Sequence, residues 1–195
     1  MQHSASNRKI VVGVCGGIAA YKTAFLVSRL AQSDASVQVV LTDAGQRFVG
    51  RATFEALTGK PVLCDLFEDI GHPLGAHIDL AAGAEGLCIA PATANFLAKA
   101  ASGAANDLLS TLYLSFTGSI LLAPAMNTAM WNKPSVQRNL SQLRADGAHI
   151  VGPGEGWLSC RTKGAGRMAE PDEIFDAIVE LLIRRVESPE SRVES

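Results

Sequence analysis

Short apolar runs alternate along this chain with longer amphipathic stretches. Residues 9–15 (KIVVGVC) are rich in β-branched side chains and predict a strand buried on both faces. Residues 18–32 follow with helical periodicity, with Ala19, Ala20, Leu26 and Leu30 among the apolar positions. Residues 36–41 (SVQVVL) predict a second strand, and Thr42-Asp43 starts another helical stretch. The helical run 51–57 ends at the breaker Thr58-Gly59-Lys60-Pro61. An irregular segment, 62–76, leads to a short helical turn at 77–82 and a strand at 86–90. Helices at 96–102 and 107–114, a strand at 119–123, a helix at 134–145 and a strand around 149–151 follow. The glycine-rich stretch 152–168 reads as a flexible lid. An amphipathic helix at 171–185 has Pro171 in its first turn.

Strands alternating with helices imply a Rossmann-like (flavodoxin-like) three-layer α/β fold, a parallel sheet covered by helices on both faces. Residues 1–8 read as a flexible N-terminus, 9–185 as a single domain, and 186–195 as a disordered polar tail. Right-handed crossovers bring the strand ends after Cys15, Leu41, Ala90 and Ala123 to one edge, where open α/β sheets bind ligands.

Composition narrows the functional classes. Only 18% of the 195 residues are charged and 48% are hydrophobic, a balance that fits tight helix-on-sheet packing with further surface buried between subunits. The net charge of -2, with no basic stripe, argues against nucleic acid as a partner. No apolar run reaches the length of a membrane span, so no membrane partner is expected. Cys15, Cys64, Cys88 and Cys160 lie far apart without a C-x-x-C pair, which argues against a metal site and a disulfide framework. The first residues lack a signal-peptide core, and the expectation is a cytoplasmic protein with reduced thiols.

Each converging strand end carries residues with two readings. Gly16-Gly17-Ile18 resembles a phosphate-binding turn at a helix N-terminus, or is a tight packing turn. The spacing is not G-x-G-x-x-G and the second strand ends in Thr42, without an acidic residue for a ribose, so a mononucleotide such as FMN fits better than NAD. In Ala92-Thr93-Ala94-Asn95 the small residues admit a flat ring that Thr93 and Asn95 can hydrogen-bond; either can equally cap a helix. Asn127, in Pro124-Ala125-Met126-Asn127-Thr128-Ala129-Met130-Trp131, suits a ligand contact or a cap for the helix starting near Trp131. His77 is a structural or an acid/base histidine, with Asp79 near enough in sequence to orient its ring. Cys160 sits among Arg161, Lys163 and Arg167, cations that lower a thiol pKa and attract an anion, or it is a passenger in a solvated loop.

Together these motifs resemble one family. Gly16-Gly17-Ile18-Ala19-Ala20-Tyr21-Lys22, His77-Ile78-Asp79-Leu80, Ala90-Pro91-Ala92-Thr93-Ala94-Asn95, Pro124-Ala125-Met126-Asn127-x-x-Met130 and Cys160-x-x-x-Gly164-x-Gly166-Arg167-Met168 keep the motif order of the homo-oligomeric flavin-containing cysteine decarboxylases over residues 9–184. The nearest branch by these motifs is phosphopantothenoylcysteine decarboxylation in coenzyme A synthesis. The resemblance implies bound FMN, contacted by Gly16, Gly17, Ile18, Thr42, Phe48, Ala92, Thr93 and Asn95. It implies a homotrimer, often packed into a dodecamer, with the flavin near subunit contacts. His77, Asn127 and Cys160 become the catalytic residues, and Asn127, Met130, Lys163 and Arg167 the contacts to a phosphorylated, cysteine-containing small molecule.

The implied chemistry oxidises the substrate CH2–SH to a thioaldehyde, which gives the departing carboxylate an electron sink; loss of CO2 leaves an enethiol. In the coenzyme A branch a clamp cysteine then protonates the enethiol as it is reduced, and Cys160 matches it. Relatives that oxidatively decarboxylate a C-terminal peptidyl cysteine release the enethiol, and they form the alternative reading. A non-catalytic flavin-binding regulatory subunit is another, marked by loss of His77, Asn127 or Cys160, all of which are present. The Pro-Ala-Met-Asn segment argues against a prenyl-flavin synthase. One position departs from the pattern: the family clamp reads Cys-Gly, and Arg161 follows Cys160, which bears on loop flexibility and anion preference. Many bacterial members continue into a synthetase domain, whereas this chain ends soon after 184, a length expected of either decarboxylase branch.

Overall fold

The computed structural model describes residues 5–67 and 75–187. Five strands, β1 (Lys9–Val14), β2 (Ser36–Leu41), β3 (Gly86–Ala92), β4 (Ser119–Pro124) and β5 (His149–Ile150), pair in parallel in the order β2-β1-β3-β4-β5. Alternate residues of each strand enter opposite cores. Ile10, Val12 and Val14 of β1, with Cys88, Ala90, Leu121 and Ala123, join one buried cluster; Val11 and Cys15, with Leu87, Ile89 and Leu122, join the other. Two-sided burial explains why these runs are apolar throughout rather than alternating.

The first cluster is closed by α1 (Ala20–Gln32), α2 (Arg51–Thr58) and α8 (Pro171–Glu187), through Leu26, Leu30, Phe54, Ile174, Ile178 and Leu182. The second is closed by α3 (Ala76–Ala81), α4 (Ala94–Ser102), α5 (Leu108–Ser115) and α7 (Pro134–Ala145), through Leu80, Leu97, Leu112 and Leu140. A short α6 (Thr128–Trp131) precedes α7. The crossovers gather the ends of β1 to β4 at one edge, as the alternation predicts.

Three expectations are corrected. The helical stretch expected from Thr42 is a single 3-10 turn, Gly45–Arg47. The third strand does not stop at Ala90; it runs through Pro91 to Ala92 by shifting register between Ile89 and Ala92, the irregularity that a residue without an N–H imposes on a ladder. The expected lid at 152–168 is an antiparallel hairpin, β6 (Gly154–Trp157) and β7 (Lys163–Arg167). Its strands lack apolar alternation because it is held by backbone and polar contacts to the 125–128 segment rather than by a core face. Met126 N–H donates to Gly166 O at 3.0 Å and the Thr128 hydroxyl to Ala165 O at 2.8 Å. Gly166 has φ +123°, and a Cβ there would lie 2.2 Å from Met126 O. The expected N-terminal flexibility and the tail beyond 187 fall largely outside the described residues, as do 68–74 of the irregular segment.

Candidate functional site

At the carboxyl edge of the sheet lies a cavity of about 1160 Å³. That exceeds the few hundred to about 1,000 Å³ usual for one small ligand, so there is room for two. Its floor is the β1–α1 turn: Gly16, Gly17, Ile18 and Ala19 all line it. Gly16 packs against the 42–45 turn so closely that a Cβ would meet that of Ala44 at 2.3 Å. A Cβ on Gly17 would instead stand 3.9 Å from Pro91 and Thr93, at the face open to the cavity. No side chain caps α1, whose N-cap is Ala19. The N–H groups of Gly16 to Ala19 make no hydrogen bond among the described residues. Free N–H groups at the positive end of a 13-residue helix suit an anion.

The side walls come from the other strand ends. The Thr42 hydroxyl donates to Val14 O at 3.3 Å and accepts from Gly45 N–H at 3.0 Å, bracing the turn beneath the cavity. Thr93 caps α4, its hydroxyl accepting from Phe96 N–H at 3.3 Å, and beside it Asn95 lines the cavity. Burial pushes the Cys15 thiol up to about 12, against the lowering hydrogen bond with Thr93, so it stays protonated. Lys99 meets Asp107 at 2.5 Å on the same wall. Burial works against ionising the Asp107 carboxyl, but the Lys99 and Ser110 hydrogen bonds hold it below the usual carboxylate range.

Asn127 and Met130 line the cavity opposite, with Trp157, Leu158, Ser159, Cys160, Arg167 and Met168 of the hairpin. Asn127 Oδ1 accepts from Met130 N–H at 2.9 Å, so the asparagine does cap α6. Its Nδ2 hydrogens are left as donors toward another acceptor. The Cys160 thiol lies 3.1 Å from the Thr162 hydroxyl, a neutral partner rather than one of the neighbouring cations.

Residues 159–161 form a three-residue hairpin loop closed by Leu158 and Thr162. Leu158 N–H donates to Thr162 O at 2.8 Å and Arg161 N–H to Leu158 O at 2.9 Å. In such a loop the third residue is left-handed, the place for glycine, and Arg161 occupies it with φ +63°. The departure from Cys-Gly therefore puts a side chain where the backbone disfavours one. Arg161→Gly is expected to stabilise the loop by about 0.5–1 kcal/mol, the left-handed penalty less the entropy of a freer unfolded chain. Amide exchange at Leu158 should slow about two- to fivefold; unchanged or faster exchange would contradict this account.

Several sequence candidates lie away from the cavity wall. Phe48 is 49% exposed beyond the 3-10 turn, Ala92 is fully buried in β3, and Lys163 points from the exposed side of the hairpin. His77 is the second residue of α3, outside the wall. Its Nδ1 is buried with no hydrogen-bond partner, so Asp79 does not orient the ring through that atom. Conversely, Lys22 and the Lys99–Asp107 pair line the cavity without having been assigned a role. Lys22 had a legible signal: it falls on the buried face of α1 with Thr23, Leu26, Val27 and Leu30. Among the described residues no group of three or more His, Cys, Asp and Glu is placed to hold a metal, and no helix is long and apolar enough to cross a membrane.

The doubly wound sheet, the glycine turn at an uncapped helix and the large cavity at the strand ends define a flavodoxin-like ligand-binding protein. The sequence pattern of the Flavoprotein family matches residues 1–183, and the chain belongs to that family. It is 44% identical over 89% of its length to the coenzyme A biosynthesis bifunctional protein CoaBC of Haemophilus influenzae, covering 43% of that protein. It is 42% identical over 95% of its length to CoaBC of Mycobacterium tuberculosis, covering 44%. The chain thus spans less than half the length of these curated relatives. Among solved structures it is similar to the FMN-dependent cysteine decarboxylase SpaF, with TM-score 0.81, 34% identity, and coverage of 94% of this chain and 99% of that one. A cysteine-to-serine variant of PPC decarboxylase complexed with pantothenoylaminoethenethiol aligns with TM-score 0.79 and 29% identity, over 93% of this chain and 100% of that one.

Proposed function

We propose that this protein binds FMN and decarboxylates 4'-phosphopantothenoylcysteine to 4'-phosphopantetheine in coenzyme A biosynthesis, in the cytoplasm. The observation that carries this is one cavity lined by Asn127, Met130 and Cys160 above a free helix N-terminus. The names of the similar proteins point the same way. The residues fit FMN: the turn N–H groups and α1 receive an anion, the Gly17 face admits a ring close to backbone, and Thr93 and Asn95 border it. Bound FMN supplies a two-electron acceptor and donor.

The protein's own groups do the rest. Asn127 offers its Nδ2 hydrogens to the substrate carboxylate while the cap on Met130 N–H fixes its Oδ1. His77 takes the proton of the substrate thiol and raises electron density at sulfur. Cys160 gives its Sγ proton to the enethiol carbon, and the Thr162 hydroxyl at 3.1 Å stands by to support the thiolate left behind.

His77 reaches a cavity only if copies assemble, because it lies off the wall of its own chain's cavity. Ile18, Tyr21 and Phe25, 52–67% exposed along one side of α1 next to the cavity floor, are the apolar surface such assembly would cover. A homotrimer in which the exposed edge of the half-buried His77 ring faces a neighbour's cavity satisfies both observations.

The test is anaerobic incubation of the FMN-loaded protein with phosphopantothenoylcysteine. The parent should yield the reduced thiol product, and Cys160→Ser should decarboxylate but stop at the enethiol. A colourless protein that takes up no FMN, or turnover confined to peptides ending in cysteine, would overturn the reading.

A further inference from the structure

Lys22, Arg167 and Glu170 meet where α1 faces the foot of the hairpin. Lys22 Nζ lies 2.9 Å from Glu170 Oε1, and Arg167 Nη2 lies 2.7 Å from the same oxygen. Both cations line the cavity; the carboxylate stands behind them, off the wall. We propose that Lys22 and Arg167, gathered on one oxygen of Glu170, form a subsite for a phosphate monoester dianion on the cavity wall. The inference rests on the reading above, in which cofactor and substrate each carry such a group.

Three further observations support it. Lys22 is only 7% exposed in the first turn of α1, where burial and the helix dipole both disfavour a cation. Apart from Glu170, its Nζ reaches only Met168 O at 3.5 Å, so donor capacity remains among its three hydrogens. A cation kept there at such cost, with one shared and half-exposed counter-ion, leaves the trio net positive. The Lys22 hydrogen bond, followed by the charges of Lys22 and Arg167, holds the Glu170 carboxyl below the usual range, so it is ionised at neutral pH.

Gly156 supplies the second observation. A Cβ there would lie 3.1 Å from both Cδ and Nη1 of Arg167, so the arginine stem runs against bare backbone on the paired strand. The guanidinium is thereby aimed by Gly156 on one side and Glu170 on the other. A planar, preorganised fork beside a compact ammonium matches the terminal oxygens of a phosphate monoester. The third observation narrows the choice of cation: Arg161 and Lys163 of the same hairpin do not line the cavity, and Lys99, which does, is paired with its own carboxylate, Asp107.

The experiment measures equilibrium binding of two ligand pairs to the assembled protein. One arm titrates the flavin-free protein with FMN and with riboflavin; the other titrates FMN-loaded protein with phosphorylated and unphosphorylated pantothenoylcysteine. Arg167→Gln, at a half-exposed position, and Lys22→Met should each lower preference for the phosphorylated member of one pair by about tenfold or more, the worth of a charged hydrogen bond. Arg167→Lys should restore most of it, and Glu170→Gln, which removes only the counter-charge, should not lower it. The pair that responds identifies the source of the phosphate. Equal weakening of both members of each pair, as a merely structural cluster would give, overturns the subsite. Failure to bind any of the four ligands would instead overturn the function proposed above.

Discussion

Asn127→Asp is expected to abolish turnover while leaving the fold intact. The wild-type Oδ1 accepts from Met130 N–H at 2.9 Å, and an aspartate oxygen accepts the same bond. Asp and Asn are about equal as N-caps, and a negative charge favours a helix N-terminus, so α6 should be kept or slightly strengthened. What changes is the face toward the cavity. Two N–H donors become a second anionic oxygen, opposite the substrate carboxylate in the proposed mechanism. Two like charges about 4 Å apart at an effective dielectric near 20 repel by about 4 kcal/mol, or about three orders of magnitude in rate. Decarboxylation should therefore fall at least ~100-fold with thermal midpoint and FMN affinity nearly unchanged. Asn127→Ala separates the roles in the opposite sense: it loses the cap, at about 1 kcal/mol, together with the donors. Near-normal turnover in Asn127→Asp would leave Asn127 a capping residue and remove it from the mechanism.

The same residue shows what a sequence can and cannot reveal. Capping and ligand binding looked like rivals because both need an amide at a strand-to-helix junction. The structure shows that one oxygen of Asn127 is committed to the cap, which leaves the nitrogen for the cavity. The central strands were legible because burial on both faces forces nearly continuous apolar runs, as in 10–15 and 86–90. The hairpin was not. Its strands, GEGW and KGAGR, bury almost nothing and owe their shape to partners 37 to 40 residues away in the 126–128 segment. Glycines selected for close tertiary approach look, in sequence, the same as glycines selected for flexibility. Ala92 and Phe48, which motif position puts beside a cofactor, sit off this chain's cavity wall: Ala92 is fully buried in β3 and Phe48 is half-exposed beyond the 3-10 turn. His77 is a limit of a different kind: it lies off the wall of its own chain's cavity with Nδ1 buried and unpartnered, and the role proposed for it needs a neighbouring copy.

Gly166→Ala should have an effect comparable to that of Asn127→Asp by a wholly different route. Gly166 combines a φ of +123° with a backbone so close to the 126–127 segment that a Cβ would sit 2.2 Å from Met126 O and 3.4 Å from Asn127 C. Neither neighbour is a flexible side-chain end, so β7 must back away. The shift breaks the 3.0 Å bond from Met126 N–H to Gly166 O and the 2.8 Å bond from Thr128 to Ala165 O. Left-handed strain of about 1–2 kcal/mol and two hydrogen bonds at about 1 kcal/mol each put the cost near 3–4 kcal/mol. That energy falls on the hairpin's docking rather than on the sheet, because the hairpin contributes little to either core beyond Leu158 and the flanking Met168. Far-ultraviolet circular dichroism and FMN uptake should thus persist. Cys160 and Arg167 ride on the displaced hairpin while Asn127 stays with β4, so the two sides of the proposed site separate. A displacement of about 1 Å between reacting groups costs on the order of 100-fold in rate, and the decarboxylation rate should fall at least that far. A Gly166→Ala protein within a few-fold of the parent would mean that the hairpin is not held in catalytic register by this contact.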